Sequence, residues 1–284
     1  MDDEPVWVTG AGGLLGRYLL ATAAEGAPGL RTLGLTRAQL DLGDFPAVRS
    51  EFRRQRPRLI IHCAALSQSP DCQARPELAR RINVEATALL AELAADIPLV
   101  FFSSDLVFDG KAGNYDETAA VNPLSVYAET KAIAERIVLA NRNHTVIRTS
   151  LNGGTSPGGR RAFNEQMRRA WEAGQAVLLF TDEFRSPIAA QVTARAVWQL
   201  VARNQPGLYH VAGSERLSRW QLGQLLAARW PQLHPRIVPG SLADYPGPPR
   251  PPDTSLNCAK AQRCLAFPLP GLTQWLAEHP HEVF

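Results

Sequence analysis

Lysine is nearly missing from this sequence. Of its 30 basic residues only Lys111, Lys131 and Lys260 are lysines, and arginine supplies the rest. Cysteine is sparse too: Cys63, Cys72, Cys258 and Cys264 show no C-x-x-C spacing and no histidine partner pattern, which argues against zinc. The six histidines have no metal-ligand spacing either, so no metal is expected. No apolar stretch approaches the roughly 18 residues that a membrane-spanning helix needs, so no membrane partner is expected. The net charge is only +3, and no basic run is interleaved with aromatics, which leaves little support for a nucleic-acid partner. Arg53, Arg54, Arg56 and Arg58 read as a solvated helix end. The acidic start, "MDDEPVWVTG", runs straight into a strand-like segment without a secretory leader pattern. Together with unpaired thiols, it suggests a cytoplasmic protein.

What is present is a chain of 284 residues with an ordinary globular composition, 45% hydrophobic and 20% charged, long enough to bury a sizeable core. Up to residue 150, short apolar runs alternate with helical patterns. Strand-like segments at 6–8, 31–35, 58–65, 97–104 and 144–150 precede or separate helical stretches near 14–24, 45–55, 76–95 and 125–141. The runs are apolar on both alternations, as in parallel strands covered on both faces. The expectation is an α/β fold with a doubly wound parallel sheet, residues 1–150 forming a Rossmann-type domain. Residues 151–284 are expected to form a smaller substrate-binding lobe, its edges interleaved with the first. Helices are expected near 161–174, 190–203 and 218–230, and "YPGPPRPPD" (245–253) cannot be regular structure. No internal repeat is found.

The first strand runs into "VTGAGGLLG", with Gly10, Gly13 and Gly16 spaced G-x-x-G-x-x-G. Such a loop lets backbone N–H groups and a helix amino end, here Leu14, Leu15 and Gly16, approach a pyrophosphate. About 20 residues on, where a dinucleotide's adenosine ribose is judged, the chain reads Thr36-Arg37 with no acidic residue. A carboxylate there would repel a 2′-phosphate and an arginine would attract it, so NADPH is favoured with NADH as the alternative. The other reading leaves Arg37 in solvent. Asp41-Leu42 is placed at the adenine edge. Further on, "VYAETKAIAERI" puts Tyr127 and Lys131 four residues apart, on one helix face. Chance gives this spacing about 0.05 times in such a chain.

The segments "VTGAGGLLGRYL", "LDLGD", "IIHCAA", "RINVEAT", "SSDLVFDG", "NPLSVYAETK", "VIRTS", "GLYHVAG" and "RPPDTSLNCAK" follow one another from residue 8 to residue 260. In this order and spacing the chain resembles the extended short-chain dehydrogenase/reductase family. Within it, the chain is most similar to dTDP-4-dehydrorhamnose reductases and their sugar-nucleotide-binding relatives. The resemblance implies that Tyr127 donates a proton to a carbonyl oxygen as hydride reaches the carbon. It implies that Lys131 lowers the phenol's pKa, about 10 when free, and binds the nicotinamide ribose. Ser104, at the end of a strand, would bond the carbonyl or the tyrosine, or else bond locally in its loop. Ala64 and Ala65 join the cofactor set. Val126, Thr130, Ile133, Ile137 and Ala140 read as the buried stripe of the helix, with Tyr127 and Lys131 on its flank. His62 reads as core or rim.

The substrate set implied by the resemblance is Ser104, Asp105, Leu106, Leu151, Arg185 and Arg250, the arginines facing the nucleotide. Arg185 has an alternative in a salt bridge to Asp182 or Glu183. The chain departs from the reductase pattern at Leu106, where a tyrosine is usual, and at Leu151, where a tryptophan is usual. "SQSPDCQARPE" (67–77) keeps Asp71 but loses much of the usual charge. The function implied is NADPH-dependent reduction of a nucleotide-linked 4-keto-6-deoxy sugar, in a chain that can form a homodimer. Two alternatives stand beside it: a sugar-nucleotide epimerase or dehydratase of the same fold, and a non-catalytic NADP-binding regulatory subunit such as that of a methionine adenosyltransferase.

Overall fold

Five apolar runs form β1 (Val6–Thr9), β2 (Thr32–Leu35), β3 (Leu59–His62), β4 (Leu99–Ser104) and β5 (Thr145–Thr149). Successive side chains of a strand point to opposite faces. Val6, Val8, Leu59, Ile61, Val100, Phe102 and Ile147 enter one core, and Trp7, Ile60, Leu99, Phe101 and Val146 enter the other. Both faces are therefore dry, the condition under which a parallel sheet forms. The computed structural model describes residues 4–282 and 284. Met1, Asp2 and Asp3, most of the acidic start, lie outside the described residues.

Between the strands lie α1 (Leu14–Ala21), α2 (Ala23–Gly26), α3 (Phe45–Gln55), α4 (Ser69–Ala74), α5 (Pro76–Arg80), α6 (Ala86–Leu93) and α7 (Val126–Leu139). α3 matches its expected bounds because its ends are chemically marked. Asp44 caps it by accepting from the Ala47 N–H at 3.1 Å, and Arg56 ends it in the left-handed region at φ 46°. The single helix expected over 76–95 is instead α5, a π turn at Arg81–Glu85, and α6.

After residue 150 the chain forms β6 (Asn152–Gly153), α8 (Phe163–Glu172), β7 (Ala176–Phe180), β8 (Phe184–Arg185), β9 (Ile188–Ala189), α9 (Ala190–Ala202) and β10 (Gly207–Val211). Then follow β11 (Leu217–Ser218), α10 (Arg219–Arg229), β12 (Arg236–Gly240), α11 (Ala259–Cys264) and α12 (Leu272–Glu278). β10 joins the main sheet, paired parallel to β5 from Gly207 opposite Thr145 to Val211 opposite Thr149. α9 packs on α1, where the Trp198 indole N–H donates to the Leu19 carbonyl at 3.0 Å. The other late strands form the separate pairs β6–β9, β7–β12 and β8–β11.

The six-stranded sheet has the order β10-β5-β4-β3-β1-β2, and all its pairings are parallel. The chain leaves β1 for β2 on one side, then returns to place β3 on the other. That reversal opens a crevice outside the carboxyl ends of β1 and β3, where open α/β sheets bind ligands.

A buried ion pair holds α7 to this sheet. Arg148 of β5 donates from Nε and Nη2 to the two oxygens of Glu135 at 2.9 and 2.7 Å. Removing one partner strands a buried charge. Glu135→Ala is expected to cost about 3–5 kcal/mol, read as a lower urea midpoint with an unchanged m-value. A loss of less than about 1 kcal/mol would show the pair to be dispensable.

Candidate active site

The loop after β1 needs its glycines. Gly10 has φ 72°, and a Cβ there would sit 2.7 Å from the Ala64 backbone nitrogen. A Cβ on Gly16 would strike the Gly10 carbonyl. Gly13 donates its N–H to Gly10 O at 2.8 Å and caps α1 without a side-chain bond. The first turn of α1, with the Leu14, Leu15 and Gly16 amides, therefore has no side-chain cap and carries no acidic residue. Such an end favours an anion. Ala64 and Ala65 are half-buried after β3, and the Ala64 backbone lies against Gly10.

At the end of β2, the Thr36 N–H and Oγ1 both donate to Gln39 Oε1, at 2.9 and 2.8 Å. Arg37 reaches Asp41 at 3.3 Å, yet 80% of its side chain is exposed. Such an exposed pair is weak, so the guanidinium can turn to a ligand at little cost. Asp41 also accepts from the Gly43 N–H at 2.9 Å, and that bond holds its carboxyl below the usual range. The Leu42 side chain is packed into the core with Leu40 and Val48.

α7 begins at Ser125, whose hydroxyl accepts from the Ala128 N–H at 3.3 Å. Tyr127 thus stands in the first turn, half-buried, and Lys131 one turn later, buried. The expected stripe is corrected. The buried face is Ala128, Lys131, Ala134, Glu135 and Val138, joined by Thr130 and Ala132. Val126, Ile133 and Ile137 are half-buried and Ala140 is exposed. The reason is that α7 is covered on two sides, by β4 and β5 and by α4 with the π turn, and its alanines allow that close approach.

Lys131 Nζ lies 4.0 Å from the Phe101 ring centre. Burial lowers it to about 8, opposed by the charge of Glu135. Tyr127 does not follow the expectation of a lowered phenol. Burial is the main cause that raises its pKa, and the Asp105 charge adds to it, while the Ser104 hydroxyl pulls the other way. The phenol is therefore held protonated, the state a proton donor needs.

Ser104, at the last position of β4, accepts from the Leu106 N–H at 3.2 Å and donates to Asp105 Oδ1 at 3.1 Å. Its local role and its place beside the tyrosine coexist. Leu106 and Leu151 are half-buried. Arg185 is buried and spends its donors on Phe184 O, Pro251 O and Glu183 at 2.6, 3.1 and 2.8 Å. It thus holds the lobe together and offers no free fork to a ligand. Arg250 is 38% exposed and doubly bonded to Glu183, at 3.0 and 2.9 Å.

Two residues of the site escaped the sequence reading. Arg219, half-buried beside Glu183, Arg185 and Arg250, makes no side-chain hydrogen bond or ion pair among the described residues. Burial lowers it to about 10. Nothing in its neighbours along the chain marked it. Asn83, buried in the π turn, bonds both the N–H and C=O of Leu66 and donates to Thr130 Oγ1 at 3.0 Å, locking the loop after β3 to α7. A π turn often marks a functional site, but it has no sequence signature of its own. His62 is core, bonded to Thr9 at 2.7 Å and Thr87 at 3.0 Å. Among the described residues, no cluster of three or more His, Cys, Asp or Glu could hold a metal ion, and no helix is long and apolar enough to cross a membrane.

Residues 4–283 match the family described as "RmlD substrate binding domain". The chain is 30% identical over 274 residues to methionine adenosyltransferase 2 subunit beta of Xenopus laevis, covering 90% of this chain and 81% of that one. It is 30% identical over 271 residues to a dTDP-4-dehydrorhamnose reductase of Sinorhizobium fredii, covering 90% of each. Its fold is that of the Bacillus anthracis dTDP-4-dehydrorhamnose reductase solved in complex with NADP, with a TM-score of 0.88 at 22% identity over 97% of this chain and 98% of that one.

The shortage of lysine makes the site open to spectroscopy. In protein labelled only at lysine, one of three resonances is expected to titrate near pH 8 and to vanish in Lys131→Arg. Because the folded value lies below the unfolded one, this group adds stability as pH rises from about 8 to 10.5, where the unfolded chain binds more protons. A Lys131 midpoint at the ordinary 10.5 would refute the burial argument.

Proposed function

The chain belongs to the RmlD substrate binding domain family, and from that premise we propose that it is an NAD(P)-dependent reductase of a nucleotide-linked 4-keto-6-deoxy sugar. One observation carries the reading. Ser104, the last residue of β4, lies beside Tyr127 of α7, one turn from buried Lys131, at the carboxyl end of the sheet that also carries the glycine loop. The name of the Sinorhizobium fredii relative supports the substrate class.

NADPH fits the residues present, with NADH as the alternative. The space that a Cβ on Gly10 or Gly16 would fill, together with the uncapped amides of α1, suits a pyrophosphate, and exposed Arg37 suits a 2′-phosphate. When bound, NADPH supplies the hydride that reduces the carbonyl carbon. Tyr127 gives its proton to the carbonyl oxygen, and the Ser104 hydroxyl steadies the phenolate that results. The Lys131 ammonium, still charged at neutral pH, favours that phenolate as it forms. The part of 151–284 that stands outside the main sheet takes the sugar nucleotide. Leu106 and Leu151 give the sugar an apolar wall, and Arg219 with Arg250 takes the diphosphate.

The family likeness to methionine adenosyltransferase 2 subunit beta supports a second reading, a regulatory subunit. The retained tyrosine, lysine and serine favour the reductase. The dehydratase reading is weaker, because the carboxylate that would serve as its acid, Asp105, is committed to Ser104, Ser150 and Thr254.

With dTDP-4-keto-6-deoxy sugars, NADPH oxidation followed at 340 nm is expected to fall about 10²–10⁴-fold in Tyr127→Phe while NADPH binding stays intact. Absence of turnover by the unaltered chain, with NADPH bound, would favour the regulatory reading. Arg37→Ala is expected to cut the preference for NADPH over NADH about tenfold, and an unchanged ratio of the two kcat/KM values would remove Arg37 from the cofactor site.

A further inference from the structure

Asp105 is buried, and its partners are the adjacent Ser104 and three residues from distant parts of the chain. Oδ1 accepts from the Ser104 hydroxyl at 3.1 Å. Oδ2 accepts from Ser150 after β5 at 2.7 Å and from buried Thr254 at 3.0 Å, and lies 3.8 Å from Arg185 Nε of β8. Ser150 in turn accepts from the Ser186 N–H at 3.2 Å. We propose that Asp105 is a positioning residue, whose carboxylate aligns Ser104 against Tyr127 and ties the end of the sheet to the substrate lobe. The proposal rests on the reductase reading.

Hydrogen-bond direction fixes the arrangement around Asp105. An ionised carboxylate only accepts, so every hydroxyl around Asp105 must turn its proton inward. While Tyr127 is protonated, Ser104 points its proton at Asp105 and accepts from Leu106; once the phenol is ionised that proton can swing to the phenolate, the bond through which Ser104 lowers the phenol's pKa. The charge also matters. The phenol faces Asp105 from the turn after β4 and Cys72 from α4, with Lys131 one turn along its own helix over Phe101, and Arg185 and Arg219 face Asp105 from β8 and α10. Asp105 is the anion in this set, and it opposes ionisation of Tyr127.

Asp105→Asn keeps the shape but places an amide donor among groups that all donate, and removes the charge. Its kcat is expected to fall at least about tenfold with little change in NADPH binding. The alkaline limb of its kcat profile is expected about one pH unit lower, since the phenol ionises more easily. Asp105→Glu, which keeps the charge, is expected to hold the limb in place. Ser150→Ala removes one bond but no charge, so it should lower kcat without moving the limb. The readout independent of turnover is NMR of protein labelled at tyrosine. The signal lost in Tyr127→Phe should ionise at lower pH in Asp105→Asn than in the parent chain. Equal midpoints and equal kcat would overturn the proposal. If Asp105→Asn does not fold, the same comparison is made with Ser150→Ala and Thr254→Val, where an unchanged kcat in both would overturn it. A parent chain that turns over no keto sugar defeats the reductase reading, while the tyrosine midpoints still decide the role of Asp105.

Discussion

The site depends on a charge pair that never meets the crevice. Arg148 and Glu135 join the middle of α7 to β5 behind the sheet's carboxyl edge, each buried, in two parallel hydrogen bonds. Burying two charges is costly and is offset only when geometry and further bonds satisfy them. Here the remaining guanidinium nitrogen meets His210 of β10 at 3.4 Å, and the plane lies 5.0 Å over Phe108. His210 reaches the Tyr115 carbonyl at 3.0 Å, and Tyr115 stacks on Phe108 at 4.1 Å. One buried pair thus gathers α7, β5, β10 and the loop after β4. Tyr127 and Lys131 hold their places because the far end of their helix cannot shift.

The same pair sets the electrostatics next to the reactive groups. Glu135 stands one turn beyond Lys131 and supports its ammonium against burial. On the other side of the crevice, Glu183 gathers Arg185, Arg250 and Arg219. Arg185 and half-exposed Arg250 bond it directly, and the Arg219 guanidinium makes no hydrogen bond or ion pair among the described residues. Three arginines gathered about Glu183 and Asp105 leave an excess of positive charge, which suits a substrate that brings its own negative charge.

Much of the first half was legible in the sequence because its signals are local. Continuous apolar runs require strands covered on both faces, and the alternation of Val6, Trp7 and Val8 needs nothing further to be sorted between two cores. Asp44 before Pro46, and glycines between β1 and α1, are likewise self-contained. β10 was missed as a member of the sheet because "GLYHVAG" falls in the glycine-containing stretch between two helical patterns; only the docking of α9 on α1 brings it beside β5. The helix over 76–95 was read as continuous because its break, a π turn around Asn83, answers to contacts with Leu66 and Thr130 from elsewhere in the chain. Arg185 and Arg219 look alike in the sequence. Their difference lies in Glu183 and Pro251, which accept from the Arg185 guanidinium, whereas the Arg219 guanidinium makes no hydrogen bond among the described residues.

By itself the sequence determined the alternating strand and helix order, the glycine loop on the first helix and the spacing that places Tyr127 and Lys131 on one face, all set by local geometry and short-range sterics. Only the tertiary structure decided the protonation of that pair. Burial and the Asp105 carboxylate keep the phenol protonated, and burial beside Phe101 brings the lysine to about 8. Those effects come from groups brought together across the chain, and electrostatic energy depends on distance and desolvation in space, which residue order does not encode directly.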